Sequence, residues 1–248
     1  MIEHLHWLLI AAFVVGLGKG GLTGVAALAV PFLAISMNPV AAAAILLPIF
    51  IVTDWFAVWF YRRDYSSRNL AILVPAILAG IVLASFLVAI APEALLLIFT
   101  GLVGVWSATR SWLGRGDTNP RPARVAPGIF WGLVTGITTF ITHSGAPPTQ
   151  AYLLPQRLPR LVFAGTMAIT FAIGNLAKLP GYQALGYFDD LDWALVAGLT
   201  AMGVLGTAAG RWLVKRINDA SYTRVIEALL MVLSLALFWK AWTLITGP

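Results

Sequence analysis

Cysteine is absent from the 248 residues, which removes disulfides, thiolate metal sites and cysteine nucleophiles. Charge is scarce. Asp, Glu, Lys and Arg make up 10% of the chain, against about 25% in soluble globular domains, too few to cover a water-facing surface. The chain is not short of Leu, Ile, Val and aromatic residues, the shortage that marks disordered segments. HExxH, GxxxxGK[ST] and GxSxG signatures are missing, as is any Cys/His cluster. No metal, no cofactor and no catalytic residue is therefore expected, and an enzyme is not the expected class. The start, Met1-Ile2-Glu3-His4, has no basic n-region, so a cleaved signal peptide is not expected.

What is there is apolar: 60% of residues are hydrophobic and the mean hydropathy is +0.87. A net charge of +6 could suggest nucleic acid. In a membrane protein it points instead to basic cytoplasmic loops, and no nucleic-acid partner is expected. A transmembrane helix needs about 20 predominantly apolar residues, which segments 39–61, 70–91, 93–113, 161–180, 193–213 and 224–246 supply. Two further apolar regions are broken. Residues 5–35 contain Gly16, Gly18, Lys19, Gly20, Gly21 and Gly24; residues 127–156 contain Thr142-His143-Ser144-Gly145-Ala146-Pro147-Pro148. The pieces on either side run to 11–15 residues, roughly 16–22 Å at 1.5 Å per residue, short of the ~30 Å hydrocarbon core. Each region is either a kinked span or a hairpin of two half-helices.

A shift of 121 residues superposes the two broken regions, placing Gly24 on Gly145, Pro31 on Tyr152 and Asp54 on Asn175. After a five-residue insertion the ladder Ala76–Gly80–Ala84 falls on Met202–Gly206–Gly210. Small residues at four-residue spacing let helix backbones approach closely in lipid, so the ladders, like Gly132–Gly136, read as packing. The repeat would divide one membrane domain, 1–248, into repeat 1 (1–113), a linker expected on the cytoplasmic side (114–126) and repeat 2 (127–248).

Basic residues choose between kinked span and hairpin. Eight full crossings split the loop charges nearly evenly. Two re-entrant hairpins instead gather Arg62, Arg63, Arg68, Arg110, Arg115, Arg121, Arg124, Arg157, Arg160, Arg211, Lys215, Arg216 and Arg224 on one side, with Lys240 alone on the other. The positive-inside rule favours the hairpins. Each half then has three full crossings, an odd number, so the halves run in opposite directions, a recurring plan among secondary transporters. The expected fold is an all-α polytopic membrane protein of two inverted repeats, each a broken, re-entrant helical hairpin plus three transmembrane helices. Trp112, Trp193, Trp212 and Trp239 lie near span ends and read as interfacial anchors.

Backbone that leaves the helical ladder inside a bilayer must be satisfied by protein or a water-lined cavity, and half-helix N-termini attract anions. The breaks are therefore the candidate binding segments: Lys19, Gly20, Gly21, Thr23 and Gly24 in the first, Thr142, His143, Ser144 and Gly145 in the second, with Gln150 one turn on. The structural alternative is that the glycines only permit tight turns. Intramembrane charges are usually functional, though Lys19 could snorkel to an interface. Asp54, in the middle of its span, can pair with Lys19 or Lys178 or carry a coupling proton. Asn175 is its repeat equivalent, and Lys178 stands one turn further. His143 can bind substrate or relay protons. In an inverted pair the two tips, entering from opposite faces, should approach each other near the midplane and hold the substrate between them.

The glycine-rich break followed by a proline, Gly16 to Pro31, and its return from Gly132 to Pro148 resemble the TauE/SafE sulfite-exporter family, also called the toluene sulfonate uptake permease family. The resemblance extends over essentially the whole chain, including the two-half repeat and the arginine-rich central loop. It implies export or import of small sulfur-containing anions such as sulfite, sulfoacetate and other organosulfonates. The family usually reads Gly-x-Gly-Gly-Pro at the second break; here His143 and Ser144 stand in glycine positions, making that break more polar. The expected protein is a secondary transporter of such oxyanions across the bacterial inner membrane by alternating access, with a channel-like anion pore or a carrier of another small organic anion as the alternative. Its expected partners are the anion, a coupling proton and the bilayer, and a homodimer is a possible assembly.

Overall fold

A computed structural model describes residues 5–20, 25–113, 120–189, 191–213 and 219–247, and among these no strand occurs. α1 (Leu5–Lys19) is followed by a 3-10 turn (Val25–Leu28) that runs into α2 (Ala29–Ala34). α3 (Pro39–Tyr61), α4 (Ser67–Ile90) and α5 (Glu93–Leu113) complete the first half. The second half has the same order: α6 (Val125–Thr142), α7 (Ala146–Leu153) with a 3-10 turn (Leu154–Gln156), then α8 (Arg160–Ala184), α9 (Trp193–Leu213) and α10 (Asp219–Thr246). Polar caps start α3 and α9. Asn38 Oδ1 accepts from the N–H of Val40 at 2.9 Å, with Pro39 as first helical residue, and Asp192 Oδ1 accepts from Ala194 and Leu195.

α3, α4, α6, α8, α9 and α10 are each long and apolar enough to cross a membrane, and α5 is apolar over Glu93–Thr109. The chain is a multi-pass membrane protein. Trp193 and Trp212, both largely exposed, stand nineteen residues apart on α9, about 29 Å, close to the thickness of the hydrocarbon core. α6 departs from the expected half-helix of 11–15 residues. It starts at Val125, within the expected linker, and its 18 residues give about 27 Å. The hydroxyls of Thr135, Thr138 and Thr142 donate to carbonyls one turn back, so these polar residues sit inside the helix and the break falls only at His143.

Both broken regions are hairpins rather than kinked spans. In the first, Trp7 of α1 packs edge-on against Phe32 of α2 at 5.1 Å, and a Cβ on Gly18 would stand 2.7 Å from Ala26 Cβ. In the second, the Tyr152 hydroxyl donates to Arg124 O at 3.1 Å and the Arg121 N–H to Pro155 O at 2.9 Å. The chain thus leaves each hairpin at the end where it entered. The arms are unequal, long first and short second, and α2 has only six residues behind its 3-10 turn.

The helices form two compact units that do not follow the sequence halves. One is Met1–Phe50, Ala91–Leu113 and Phe188–Pro248; the other is Ile51–Ile90 and Gly114–Tyr187, with the division inside α3. In the first unit α1 lies along α9 and α5 along α10. A Cβ on Gly206 would overlap Phe13 O, and one on Gly210 would overlap or crowd Leu17. Lys240 Nζ donates to Ala34 O at 3.1 Å and pairs with Glu93 Oε1 at 3.2 Å, holding a cation at the carbonyl end of α2. In the second unit α4 lies along α6 and α8, with Ala76 against Gly132 and Gly80 against Gly136. The small-residue ladders are packing surfaces, as their spacing implies.

Candidate functional site

Within the second unit the basic loops meet at one end. The Ser66 N–H donates to Thr166 Oγ1 at 2.9 Å, Arg68 Nε to Ala123 O at 3.2 Å, and Asn69 Nδ2 to Gln156 Oε1 at 2.9 Å. A Cβ on Gly165 would overlap Asp64 O. Segments 62–69, 121–124 and 154–157 and the start of α8 are therefore gathered together, bringing Arg62, Arg63, Arg68, Arg121, Arg124 and Arg157 with them. From that end α8 runs inward. Asn175 lies fourteen residues past Leu161 and nine before Ala184, about 21 Å and 14 Å along the axis, inside the apolar stretch.

At that depth stands a chain of buried polar side chains. Asn175 Nδ2 donates to Asp54 Oδ2 at 2.5 Å, Lys178 Nζ donates to Asn175 Oδ1 at 2.7 Å, and Lys178 Nζ lies 2.8 Å from His143 Nδ1. Asp54, Asn175 and Lys178 are 2%, 3% and 0% exposed. An isolated charge there would carry a desolvation cost of several kcal/mol. The amide resolves this by facing its N–H to the carboxylate and its carbonyl to the ammonium, bridging the opposite charges. An ammonium has donors only, so Lys178 as a cation requires an unprotonated Nδ1 on His143.

His143 reaches Lys178 because it terminates α6 in the left-handed region, φ 55°, with its N–H on Thr139 O at 3.1 Å. Thr142 and Ser144 are buried beside it. The Thr142 hydroxyl donates to Thr138 O and accepts from the Ser144 N–H, while the Ser144 hydroxyl donates to Thr142 O. Both hydroxyl protons thus serve the hairpin itself. Gly145 is required by packing: a Cβ would stand 2.9 Å from Thr139 Cβ and 3.0 Å from the Phe171 ring. Gln150 lies half-buried on α7. The expected cradle of N–H groups at the start of α7 is thinned, because Pro147 and Pro148 occupy its first turn and supply no N–H. Positive charge near this tip comes from Lys178.

The first break differs. Lys19 ends α1, half-buried, with Nζ 5.2 Å from the centroid of the Phe50 ring. A cation at a helix C-terminus and over an aromatic face is favourable on both counts, and Lys19 has both at the carbonyl end of α1. The Gly20 N–H donates to Gly16 O at 2.9 Å. Gly21, Thr23 and Gly24 lie outside the described residues. The six residues of α2 make a weak dipole, since the effect arises from aligned peptides.

Sequence reasoning missed the hydroxyls that line the second hairpin. Thr135, Thr138, Thr139 and Thr149 are buried, and Thr135 Oγ1 lies 3.0 Å from Thr149 Oγ1, tying the arms together. Their signal was the run of small and hydroxyl residues at 132, 135, 136 and 139, spaced for one helix face. Thr170 of α8 is buried with its hydroxyl unpaired. Among the described residues no cluster of three metal-ligating side chains occurs.

The family described as Sulfite exporter TauE/SafE matches residues 8–237 of the chain. No curated protein and no solved structure matches it.

Proposed function

The chain belongs to the sulfite exporter TauE/SafE family, a family of membrane transporters, and from that premise we propose that it carries a small sulfur-containing oxyanion, sulfite or an organosulfonate, by alternating access. The observation that carries the reading is the buried Asp54–Asn175–Lys178–His143 chain, within the apolar stretch and next to a helix break. Lys178 supplies the charge an oxyanion needs. Asp54 keeps it neutralised while the site is empty, which limits the cost of holding a bare cation in the bilayer. An arriving anion replaces part of that compensation. It also favours a second proton on the Lys178–His143 pair, turning both nitrogens into donors. Anion and proton then move together, and less net charge crosses the membrane.

The test is radiolabelled uptake into proteoliposomes with sulfite and a panel of sulfonates under imposed pH gradients. Saturable flux with counterflow, driven by an inward proton gradient, supports a proton-coupled carrier. Non-saturable flux without counterflow would mean an anion pore, and flux indifferent to the pH gradient would remove the proton from the cycle.

A further inference from the structure

At the basic end of the second unit, between the base of α6 and the end of α7, lies a cavity of about 390 Å³ lined by Arg121, Arg124, Trp131, Tyr152 and Gln156 with prolines 122, 127 and 155. It lies at the opposite end of α6 from the His143 tip. We propose that this cavity is a second binding site, for a singly charged tetrahedral oxyanion of the phosphodiester or sulfonate kind carried on an apolar body, and that its resident is the headgroup of an acidic phospholipid.

Four observations support it. The first is construction. The strand of chain holding both arginines is pinned on three sides, by the Arg121 N–H on Pro155 O, the Tyr152 hydroxyl on Arg124 O and Arg68 Nε on Ala123 O. The cavity is thus held open by hydrogen bonds within the fold. The second is chemistry. Two guanidinium groups offer forked N–H pairs suited to phosphate or sulfonate oxygens.

The third is size. Ligand pockets run from about 300 to 1,000 Å³, and a water molecule's share of liquid volume is about 30 Å³. The cavity therefore holds the equivalent of roughly a dozen waters, far more than a four-atom sulfite fills. A phosphoglycerol headgroup is of the right order. The fourth is the flank. Phe130, 58% exposed, packs edge-on against Trp131 at 5.1 Å, and Leu154, 50% exposed, adjoins Pro155. An apolar chain leaving the cavity meets an apolar, open surface. The same end carries Arg62, Arg63, Arg68 and Arg157, and the positive-inside rule places such an end at the cytoplasmic leaflet, where acidic lipids concentrate.

The site is independent of the transport reading, and its test measures no flux. The full chain is reconstituted in nanodiscs of phosphatidylcholine alone, in nanodiscs with one-fifth phosphatidylglycerol, and in phosphatidylcholine nanodiscs with millimolar glycerol 3-phosphate or ethanesulfonate. Amide hydrogen exchange is followed over 120–131 and 151–157. Exchange at least threefold slower with phosphatidylglycerol, and lost in Arg121→Gln/Arg124→Gln while α9 and α10 keep their protection, supports the lipid headgroup. Protection by the free anions alone supports the same chemistry from a soluble source. If the double variant does not fold, Arg124→Gln alone must still weaken the protection. Equal exchange in all wild-type preparations, or protection unchanged in the folded variants, overturns the proposal.

Discussion

Asp54 and Asn175 are hydrogen-bonded to each other, and they are 121 residues apart, the same shift that superposes the two broken regions of the sequence. Within one unit α1 lies on α9 and α5 on α10; within the other α6 lies on α4. Each of these pairings joins a helix of the first half to one of the second, as the Asp54–Asn175 hydrogen bond does.

The bridge makes a prediction about Lys178. Lys178→Met leaves Asp54 buried and without its bridged cation, and should lower stability by about 3–5 kcal/mol, the usual cost of breaking a buried pair from one side. Lys178→Met/Asp54→Asn removes both charges and should recover most of that loss in thermal unfolding while transport stays abolished. Recovered transport in the double variant would show that the cluster is only structural.

Close helix approach predicts a contrast along one helix. Gly206→Ala drives a Cβ into Phe13 O, and no backbone atom can step aside cheaply, so a loss of about 1–3 kcal/mol is expected. Gly198→Ala has nothing within 4 Å of the new Cβ and replaces glycine in a helix interior, so a gain of up to about 1 kcal/mol is expected. Thermal shifts of opposite sign for the two variants are the check. A fall for both would mean that Gly198 has a role outside packing.

The sequence made the spans and both hairpins legible because lipid imposes length, and charge imposes sidedness. The length of α6 was harder to read. Thr135, Thr138 and Thr142 look like helix breakers in water, but each returns its hydroxyl to the preceding turn and keeps the helix intact. The site was half legible. Asp54, Asn175, Lys178 and His143 each stood out as polar residues in apolar surroundings, yet their order along one hydrogen-bonded chain depends on where α6 stops. That is decided by the left-handed His143. The anion-attracting start of α7 was overestimated because Pro147 and Pro148 were read as signs of a break, although they also remove N–H donors.

Sidedness can be tested directly in a chain without cysteine. Pro120→Cys and Leu158→Cys should both resist a membrane-impermeant maleimide added from outside, and Asp189→Cys should react. The Arg121–Pro155 contact requires the first two to behave alike. Labelling of 120 without 158 would contradict the hairpin, and external labelling of both would invert the proposed orientation.

Lys19 separates a structural cation from a binding one. Lys19→Ala removes the ammonium over Phe50 and at the end of α1, interactions worth about 0.5–1 kcal/mol each, so the fold should survive. If Lys19 also attracts the transported anion, the apparent KM for sulfite should rise about tenfold or more, with Lys19→Arg intermediate because a planar guanidinium is not a point charge. An unchanged KM would confine Lys19 to its structural contacts.

His143 carries the sharpest prediction, because its backbone and its ring can be tested apart. The residue sits at φ 55°, where asparagine and glycine are tolerated and alanine is strained. His143→Asn and His143→Gly should therefore fold like the parent, whereas His143→Ala should lose about 1–2 kcal/mol. The ring contributes a nitrogen 2.8 Å from Lys178 Nζ. His143→Asn keeps the backbone conformation and removes the ring nitrogen that faces Lys178. If that nitrogen takes part in the proposed proton coupling, uptake driven by an imposed pH gradient should fall while counterflow persists. Gradient-driven uptake like the parent's in a folded His143→Asn would remove His143 from the proton path and leave it as the residue that ends α6.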